Sequence, residues 1–356
     1  MKIAFLGDIA LFGRFTAKED YEDYFSEIKD ILSSCKYVVA NLETPLTNIE
    51  KTIGGRSAYI KGSPNDSVLL EYLNITHVNL ANNHIFDYCE EGVAETVNAL
   101  KKRGIESFGI GSKCCLLSDC FNKLALRGYC CYSTNGRKIG NSDNRVNALE
   151  YNKVMNDLEK DHKDGVRTIL SIHWGTEHVH YPSIEQVKFA HCLADKYNVI
   201  VHGHHPHVIQ GIEKKNNSLI MYSLGNFCFD DVYTTRSDKP LIRLSKDNKT
   251  TFIMIVDLKD NDIKSIDIIP VSFDEGKHAI TDIQQLCLEE LSGYFNDLDR
   301  LNLMKSKEFS DYIANHRKER DLKWYLTRLN FESTRILYYE HICSKKYMRE
   351  FKNKLC

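Results

Sequence analysis

Four histidines stand within six consecutive positions of the stretch "HGHHPHVIQG" (202–211), and they are His202, His204, His205 and His207. Apolar residues precede and follow this cluster, which predicts that it lies at the end of a buried strand. In an extended segment residues i and i+2 point the same way, so the rings of His205 and His207 can face one ion. Pro206 restricts the backbone between them and would preorganise the pair. The spacing therefore indicates a metal site.

Four other predicted strands also end in side chains that can bind metal. Taken singly, each has a structural explanation, such as a turn residue, a solvated charge or a hydrogen-bonded core histidine. Ligands of α/β sheets gather outside the carboxyl ends of the strands, so five such ends together favour one shared site. The side chains are Asp8 after the first strand; Asn41 and Glu43 after the second; Asn82, Asn83, His84 and Asp87 after the third; and His173, with Trp174, Gly175 and Glu177 following, after the fourth.

The mixture of donors narrows the choice of metal. Carboxylates, an amide oxygen and imidazoles without a thiolate suit Mn, Fe, Zn or Co better than copper(I) or a structural cysteine zinc site. There are more donors than one ion needs. A carboxylate that bridges two ions about 3.5–4 Å apart would use them all, and such a pair can clamp a phosphate.

The elements that position these side chains follow a repeating order. Short apolar runs typical of buried strands alternate with helical patterns, which predicts an α/β sheet with helices on its faces. Gly104 is a plausible C-cap for the second helix. The strands are predicted at 2–7, 37–43, 77–82, 168–175 and 198–203, and the helices at 64–73, 91–103 and 184–197.

The later part of the chain changes character. We predict consecutive antiparallel strands at 218–229, 251–260 and 262–273, the last two joined by a hairpin at 259–262. From about residue 280 the pattern is helical, with an N-cap at Thr281 or Asp282. The prediction is one α/β domain over 1–279 and a basic helical appendage over 280–356.

Six motifs resemble a known family when they are taken together and in order. They are "FLGDI", "ANLETPLT", "LANNHIFDY", "IHWGTE", "HGHHPHVIQG" and "SLGNFCFD". Over residues 1–273 the chain resembles the CapA/PgsA family of poly-γ-glutamate or capsule synthesis proteins, within the calcineurin-like metallophosphoesterase superfamily. The resemblance implies a four-layer α/β/β/α sandwich and a site with one or two divalent transition ions (Mn, Fe or Zn).

The resemblance also implies a role for each matching residue. Asp8 and His207 would bind the first ion, and Glu43 would bridge both. The second ion would be bound by Asn83, His173 and His205. His84 would be the catalytic hydrogen-bonding or acid residue, and Asp87 would orient its ring.

Two positions depart from the superfamily's usual pattern. The usual first motif is D-x-H, whereas Ala10 stands two residues after Asp8 here, so the first ion lacks one histidine ligand. The usual G-H-x-H is lengthened to G-H-H-P-H. We align the ligands on His205 and His207 and regard His204 as an outer residue; the alternative alignment makes His204 a ligand.

The family core does not explain the C-terminal region. Residues 301–356 carry 13 Lys+Arg and 7 Asp+Glu, although the whole chain is nearly balanced at 47 basic and 49 acidic residues. A balanced chain gives no signal for nucleic acid. The basic region either docks on its own domain, which we favour, or contacts a membrane surface or a synthase complex. Its aromatic residues are Trp324, Tyr325, Tyr338, Tyr339 and Tyr347.

The site residues and the resemblance together favour a metal-dependent, phosphoesterase-like hydrolase acting on an anionic substrate, a phosphoester or a polymer intermediate. The resemblance implies a role in capsule, poly-γ-glutamate or other surface-polymer biosynthesis. One alternative is a non-catalytic subunit whose metal site binds a polyanion. Another is hydrolysis or transfer at a carboxyl or amide group. The substrate pocket would lie on the loops at 44–63, 133–148 and 230–250.

The compartment is predicted from the N-terminal stretch and the cysteines. The segment "MKIAFLGDIALF" resembles a strand that ends in a functional loop rather than a signal peptide, and none of the twelve cysteines forms a C-x-x-C pair. We expect a cytoplasmic protein, or one peripheral to the inner face of the membrane, with free thiols. The group Cys114, Cys115 and Cys120 is an alternative metal knuckle.

Thiol titration tests the predicted compartment. Under denaturing, non-reducing conditions, protein made in the cytoplasm should show mostly free thiols, because nothing in the spacing predicts disulfide pairs. A set of stable native disulfides would contradict the expectation.

Overall fold

The computed structural model of the protein describes residues 1–18, 20–234, 237–273, 277–281, 285–318 and 330–355. Its centre is a pair of sheets. The first has the order β16-β15-β14-β1-β2-β3-β4, and β11 pairs with the end of β1. Its strands are β1 (Lys2–Ile9), β2 (Tyr37–Leu42), β3 (His77–Asn79), β4 (Glu106–Phe108), β11 (Asn226–Cys228), β14 (Thr250–Lys259), β15 (Asp262–Ser272) and β16 (Ala279–Ile280).

The second sheet has the order β5-β6-β7-β8-β10-β9, and β6, β7, β8 and β10 run parallel. Its strands are β5 (Cys114–Ser118), β6 (Lys123–Cys130), β7 (Arg167–His173), β8 (Val199–His204), β9 (Ile212–Lys215) and β10 (Ser218–Met221). A separate two-stranded ribbon consists of β12 (Val232–Thr234) and β13 (Ser237–Ile242).

Helices surround the two sheets. They are α1 (Tyr21–Tyr24), α2 (Ser26–Ser33), α3 (Ser67–Tyr72), α4 (Cys89–Lys102), α5 (Tyr151–Lys163), α6 (Ile184–Lys196), α7 (Gln285–Ser292), α8 (Leu298–Lys318) and α9 (Phe331–Tyr347). Short 3₁₀ turns occupy Pro64–Asp66, Tyr132–Thr134 and Asp247–Lys249, and a π-helical turn, Met348–Lys352, followed by the short helix Asn353–Leu355, continues α9.

Strand β1 shows how the layers are stacked. Side chains alternate between the two faces of a strand. Ile3 and Phe5 are packed in one core with residues of the second sheet. Ala4 and Leu6 are packed in another core, with the buried faces of helices such as α2 and α3. Since α5 and α6 cover the far side of the second sheet, the order is helix, sheet, sheet, helix, and the predicted four-layer fold is confirmed.

Most of the predicted elements are present with shifted ends. Helix α4 begins at Cys89 and α6 spans Ile184–Lys196, close to the predicted ranges. The hairpin is also confirmed, because β14 and β15 pair antiparallel and Asp260 and Asn261 have φ of 55° and 62°. Positive φ at both central residues is typical of a tight hairpin turn.

The single strand predicted at 218–229 is wrong. The segment forms two strands in different sheets, with β10 parallel to β8 and β11 parallel to β1. Gly225, with φ of 77°, lies in the turn that carries the chain across. Two smaller errors are that β3 ends at Asn79 and that the predicted helix at 64–73 begins with a 3₁₀ turn.

The described parts of the C-terminal region pack on the α/β core. Leu301 and Phe351 are buried in the core that includes Phe189 of α6. Glu308 accepts hydrogen bonds from the backbone N–H and the ring of His180. Tyr339 is held against the core, whereas Tyr338 is 68% exposed. The docking of this region on its own domain is therefore confirmed for those residues; Asp282, Trp324 and Tyr325 lie outside the described residues.

The ten cysteines whose side chains the structure describes are all free thiols. Cys114 and Cys115 are neighbours on β5, and Cys115 is buried while Cys114 is partly exposed. None of the described helices is long and apolar enough to cross a membrane.

A buried ion pair between β6 and α5 yields a stability prediction. Arg127 donates from Nε to Asp161 Oδ2 at 2.7 Å, and the two side chains are 11% and 7% exposed. Arg127→Met should lower the free energy of unfolding by roughly 3–5 kcal/mol, because it leaves a buried carboxylate without its partner. Denaturant unfolding followed by circular dichroism measures this.

The matched control removes an exposed charge on the same helix. Lys163 pairs with Glu159 at the surface, where the side chains are 71% and 55% exposed. Lys163→Met should change the stability little. Equal losses in the two variants would contradict the argument.

Candidate metal centre

The carboxyl ends of β1 and β2 in the first sheet meet those of β7 and β8 in the second. Two glycines leave room for the segment between β10 and β11, which crosses from the second sheet to the first. A Cβ on Gly7, just before Asp8, would lie 2.0 Å from the carbonyl oxygen of Gly225, and a Cβ on Gly203 would lie 1.9 Å from that of Tyr222. Only glycine fits in either place, so the "GD" and "HGH" motifs have a packing reason as well as a chemical one.

Asp8 is fixed by three groups. The side-chain amide of Asn41 donates to Oδ1 at 2.9 Å, and the backbone N–H of His205 donates to Oδ2 at 3.0 Å. The ring Nδ1 of His204 lies 3.0 Å from Oδ1. Burial would raise the pKa of the Asp8 carboxyl, but the hydrogen bond and charge of His204 and the charge of His207 lower it to about 2. Asp8 is therefore a carboxylate at neutral pH.

Glu43 lies at the middle of the site. Its Oε1 is 3.6 Å from His207 Nε2 and 3.9 Å from His173 Nε2. The side chain is fully buried, and among the described residues neither carboxylate oxygen has a hydrogen-bond partner. Burial, with the negative charges of Asp8 and Glu177, raises the pKa of the Glu43 carboxyl well above its ordinary value.

His207 presents one ring nitrogen to the centre. Its Nδ1 lies 2.8 Å from Asn226 Oδ1, and Asn226 donates its amide N–H to the carbonyl of Asn248 at 3.0 Å. That second bond fixes the orientation of the amide, so its oxygen accepts from Nδ1–H. This leaves Nε2 to face Glu43, which is how a neighbour commonly prepares a histidine for metal.

Asn83 and His173 bring an amide oxygen and a ring nitrogen close together at the centre. Asn83 donates its amide N–H to the carbonyl of Thr134 at 3.4 Å, which turns Oδ1 inward to within 3.1 Å of His173 Nε2. Burial, together with His205 and His204, lowers the pKa of His173 well below its ordinary value. Burial likewise lowers the pKa of His205 to about 4. Both rings are neutral at pH 7, the form that binds metal.

The backbone of the H-x-H pair, His205 and His207, is not extended as predicted. Strand β8 ends at His204, and His205 and His207 are not extended but have φ of 97° and 58°. These are unusual values for non-glycine residues and are concentrated at functional sites. The ring centroids are still only 5.9 Å apart, so both imidazoles face the same space.

Three overlapping groups of described residues could each hold an ion, with ligand atoms within 4.8 Å of one another. The orphaned oxygens of Glu43 and the inward-facing Nε2 of His207 fit a cation, because unpaired buried acceptors are costly unless a charge satisfies them. The donor set of carboxylates and imidazoles suits a divalent transition ion. The groups are Glu43, His173 and His205; Asp8, Glu43 and His207; and Glu177, His205 and His207.

The remaining histidines of the cluster make other contacts. His204 Nε2 lies 3.0 Å from Ser171 Oγ while Nδ1 faces Asp8, and His202 Nε2 lies 2.8 Å from the carbonyl oxygen of Leu6. These contacts support the alignment of the ligands on His205 and His207. Asn82 accepts from the backbone N–H of Ile85 at 2.9 Å and is a turn residue.

His84 stands at the rim in contact with Asp87 and Arg56. Its Nδ1 is 2.7 Å from Asp87 Oδ2, and one guanidinium nitrogen of Arg56 lies 3.2 Å from Nε2 and 3.4 Å from Nδ1. Burial and the charge of Arg56 lower the pKa of His84. The ring is thus neutral, with its proton on Nδ1 toward Asp87.

Three residues that contact the site, Asn226, Asn248 and Arg56, are not among the predicted site residues. Asn226 belongs to the quoted motif "SLGNFCFD", and its place at the start of β11 beside Asp8 could have indicated it. Arg56 and Asn248 lie within two of the loops predicted to carry the substrate pocket, 44–63 and 230–250. Nothing in the local pattern distinguishes them from the other residues of those loops.

The family and the known proteins that this chain matches agree with the family resemblance of its motifs. The family described as "Bacterial capsule synthesis protein PGA_cap" matches residues 2–231. The "PGA biosynthesis protein CapA" of Bacillus subtilis (strain 168) is 27% identical over 300 residues, covering 78% of this chain and 73% of that protein. The "Capsule biosynthesis protein CapA" of Bacillus anthracis is 27% identical over 71% of this chain and 62% of its own length.

Solved structures show weaker similarity. The Haemophilus influenzae NAD nucleotidase matches with a TM-score of 0.46 and 14% identity, over 87% of this chain and 60% of that one. The calcineurin-like phosphoesterase YfkN from Bacillus subtilis matches with a TM-score of 0.40 and 12% identity, over 85% of this chain and 98% of that one.

Metal analysis tests the centre. Purified protein should contain one to two transition ions per chain. Glu43→Ala and His205→Ala should each weaken metal binding strongly. Loss of a residue that only orients a ligand costs about 10–100-fold in metal affinity, and loss of a ligand should cost more. Elemental analysis after gel filtration gives the content. The control is His191→Ala, since His191 on α6 pairs with Glu213 and belongs to none of the three groups. Wild-type metal content in both site variants would overturn the assignment.

Proposed function

The chain belongs to the PGA_cap family of bacterial capsule synthesis proteins. On that premise we propose that it is a metal-dependent hydrolase whose substrate is an anionic phosphoester. The reaction would belong to the synthesis of capsule, poly-γ-glutamate or another surface polymer. The observation that carries the proposal is the buried Glu43 carboxylate. Both of its oxygens lack a hydrogen-bond partner among the described residues, and it lies between two histidine groups.

The proposed ligands divide into two half-sites that share Glu43. Asn83, His173 and His205 would hold one ion, and Asp8 and His207 the other. A divalent ion in this position supplies Lewis-acid polarisation of a phosphoryl oxygen and binds the substrate's charge. Mn, Fe and Zn all suit these donors.

The two half-sites are not equivalent. Both oxygens of Asp8 already accept hydrogen bonds, from Asn41 and from the His205 backbone. Ala10 supplies no ligand where a histidine would complete the half-site. On the other side, the Asn83 oxygen has a single contact among the described residues, with His173 Nε2. We therefore expect the tighter ion beside Asn83, His173 and His205.

His84 is the group proposed to exchange a proton with the substrate. Asp87 holds Nδ1–H and so fixes the tautomer and the orientation of the ring. Nε2, which has the Arg56 guanidinium 3.2 Å away, is the atom that would accept a proton or a hydrogen bond from the reacting group. The side chain is 14% exposed, which places it at the mouth of the site and not among the buried ligands. Its contribution would be the about 10²–10⁴-fold of general acid–base catalysis.

Turnover of a generic aryl phosphate by Mn²⁺-loaded protein tests the proposal. His84→Gln should lower kcat at least about 100-fold while metal content stays at the wild-type level, because the ring handles a proton and does not hold the ion. His191→Gln is the matched control and should keep full activity.

The same assay separates the alternatives. Phosphomonoesters, phosphodiesters and polyglutamate are compared with each metal. Cleavage of polyglutamate alone would move the reaction to an amide bond. Wild-type metal content with no turnover of any substrate would contradict the proposal and favour a polyanion-binding subunit.

A further inference from the structure

Arg56 contacts three residues at the mouth of the metal centre. Its Nε lies 3.0 Å from Asp87 Oδ1, one terminal nitrogen donates to the carbonyl of Asn83 at 2.6 Å, and the other lies 3.2 Å from His84 Nε2. The side chain is 11% exposed. A guanidinium is thus fixed beside the residue proposed to handle the proton and beside a proposed ligand.

The contacts of Arg56 leave a donor available. Each terminal nitrogen of a guanidinium carries two N–H groups. One terminal nitrogen contacts the Asn83 carbonyl alone, whereas the other lies 3.2 Å from Nε2 and 3.4 Å from Nδ1 of His84. The first therefore keeps one N–H without a partner among the described residues, and such a group can donate a charge-assisted hydrogen bond to a phosphate or carboxylate.

The backbone just before Arg56 is held by the C-terminal helix α9. Gly55 donates its N–H to Glu332 Oε2 at 2.8 Å. Arg137 donates to the carbonyl of the same glycine. Tyr339 of α9 in turn holds Arg137, whose guanidinium carbon lies 3.6 Å from the centre of the tyrosine ring.

Tyr339 makes a second contact with the same loop. Its hydroxyl donates to the carbonyl of Gly136, the residue before Arg137, at 2.9 Å.

Gly55 has φ of 71°, and a Cβ there would lie 2.2 Å from the Arg137 guanidinium. The turn at Gly55 therefore leaves room for the Arg137 guanidinium, and the next residue along the chain is Arg56.

We propose that Arg56 binds an anionic group of the substrate, a phosphate or a carboxylate, and that helix α9 positions it through Gly55 and Arg137. The C-terminal region would then complete the site that the family core begins. The inference deepens the function proposed above and rests on it, since the anion would lie between Arg56 and the metal ligands.

Two measurements on the full-length protein test this proposal. Calorimetric titration of the Mn²⁺-loaded protein with inorganic phosphate reports the anion site, and hydrogen exchange of the Gly55 amide reports the hold of α9. The variants are Arg56→Gln, Arg56→Lys, Tyr339→Leu and the milder Tyr339→Phe, which keeps the ring but loses the hydroxyl. The controls are Arg349→Gln and Tyr338→Leu, because these side chains are 74% and 68% exposed.

The expected pattern separates the two parts of the proposal. Arg56→Gln should keep its metal and weaken phosphate binding at least about tenfold, with Arg56→Lys intermediate, because charge-assisted hydrogen bonds are lost. Tyr339→Leu should keep its metal, speed Gly55 exchange at least about tenfold and weaken phosphate binding about threefold. Tyr339→Phe should show smaller changes in the same direction, and both controls should match the wild type.

Contrary results are equally distinct. Wild-type phosphate affinity in Arg56→Gln would overturn the anion site, as would metal-loaded wild type that binds no phosphate. Equal Gly55 exchange in Tyr339→Leu and Tyr338→Leu would overturn the role of α9. A wild type without metal would instead contradict the function proposed above, and the exchange comparison, which needs no metal, would still decide the role of α9.

Discussion

The organisation of the site depends on one buried charge, the carboxylate of Glu43. Its two oxygens have no hydrogen-bond partner among the described residues, and Asp8, a second buried acid, is close by. Two acids in a dry site repel each other, and an unpaired buried carboxylate costs several kcal/mol. A cation between Glu43 and the surrounding imidazoles removes both costs. The neutral histidines and the inward-turned amide oxygen of Asn83 are arranged for that cation.

The rest of the fold holds the donors in place around Glu43. The parallel strands bring their carboxyl ends to one edge, and glycines at 7 and 203 leave room for the segment that crosses between the sheets from β10 to β11. Around the donors a further set of groups fixes tautomers and orientations: Asn226 for His207, Thr134 for Asn83 and Asn41 for Asp8. Such neighbours matter because a ligand that is free to rotate binds metal less tightly.

The sequence could predict this site because its main residues follow recognisable strands. Asp8, Glu43, His173 and His205 each come at or just after the end of an apolar run, and parallel strands end at a common edge. It could not predict that the segment 218–229 changes sheets, since that depends on pairing of β11 with β1 and on the turn at Gly225. Arg56 was missed for a similar reason. Its position depends on an irregular loop and on Glu332, which lies 277 residues from Gly55 along the chain.

Anomalous diffraction from crystals of Mn²⁺-loaded protein tests directly whether Glu43 binds a metal ion. We expect a strong anomalous peak within bonding distance of a Glu43 oxygen and of the imidazoles of His173 and His205. A second, weaker peak would lie between Glu43, Asp8 and His207. Ordered manganese found only elsewhere, with the Glu43 carboxylate instead hydrogen-bonded to water or protein, would contradict the account.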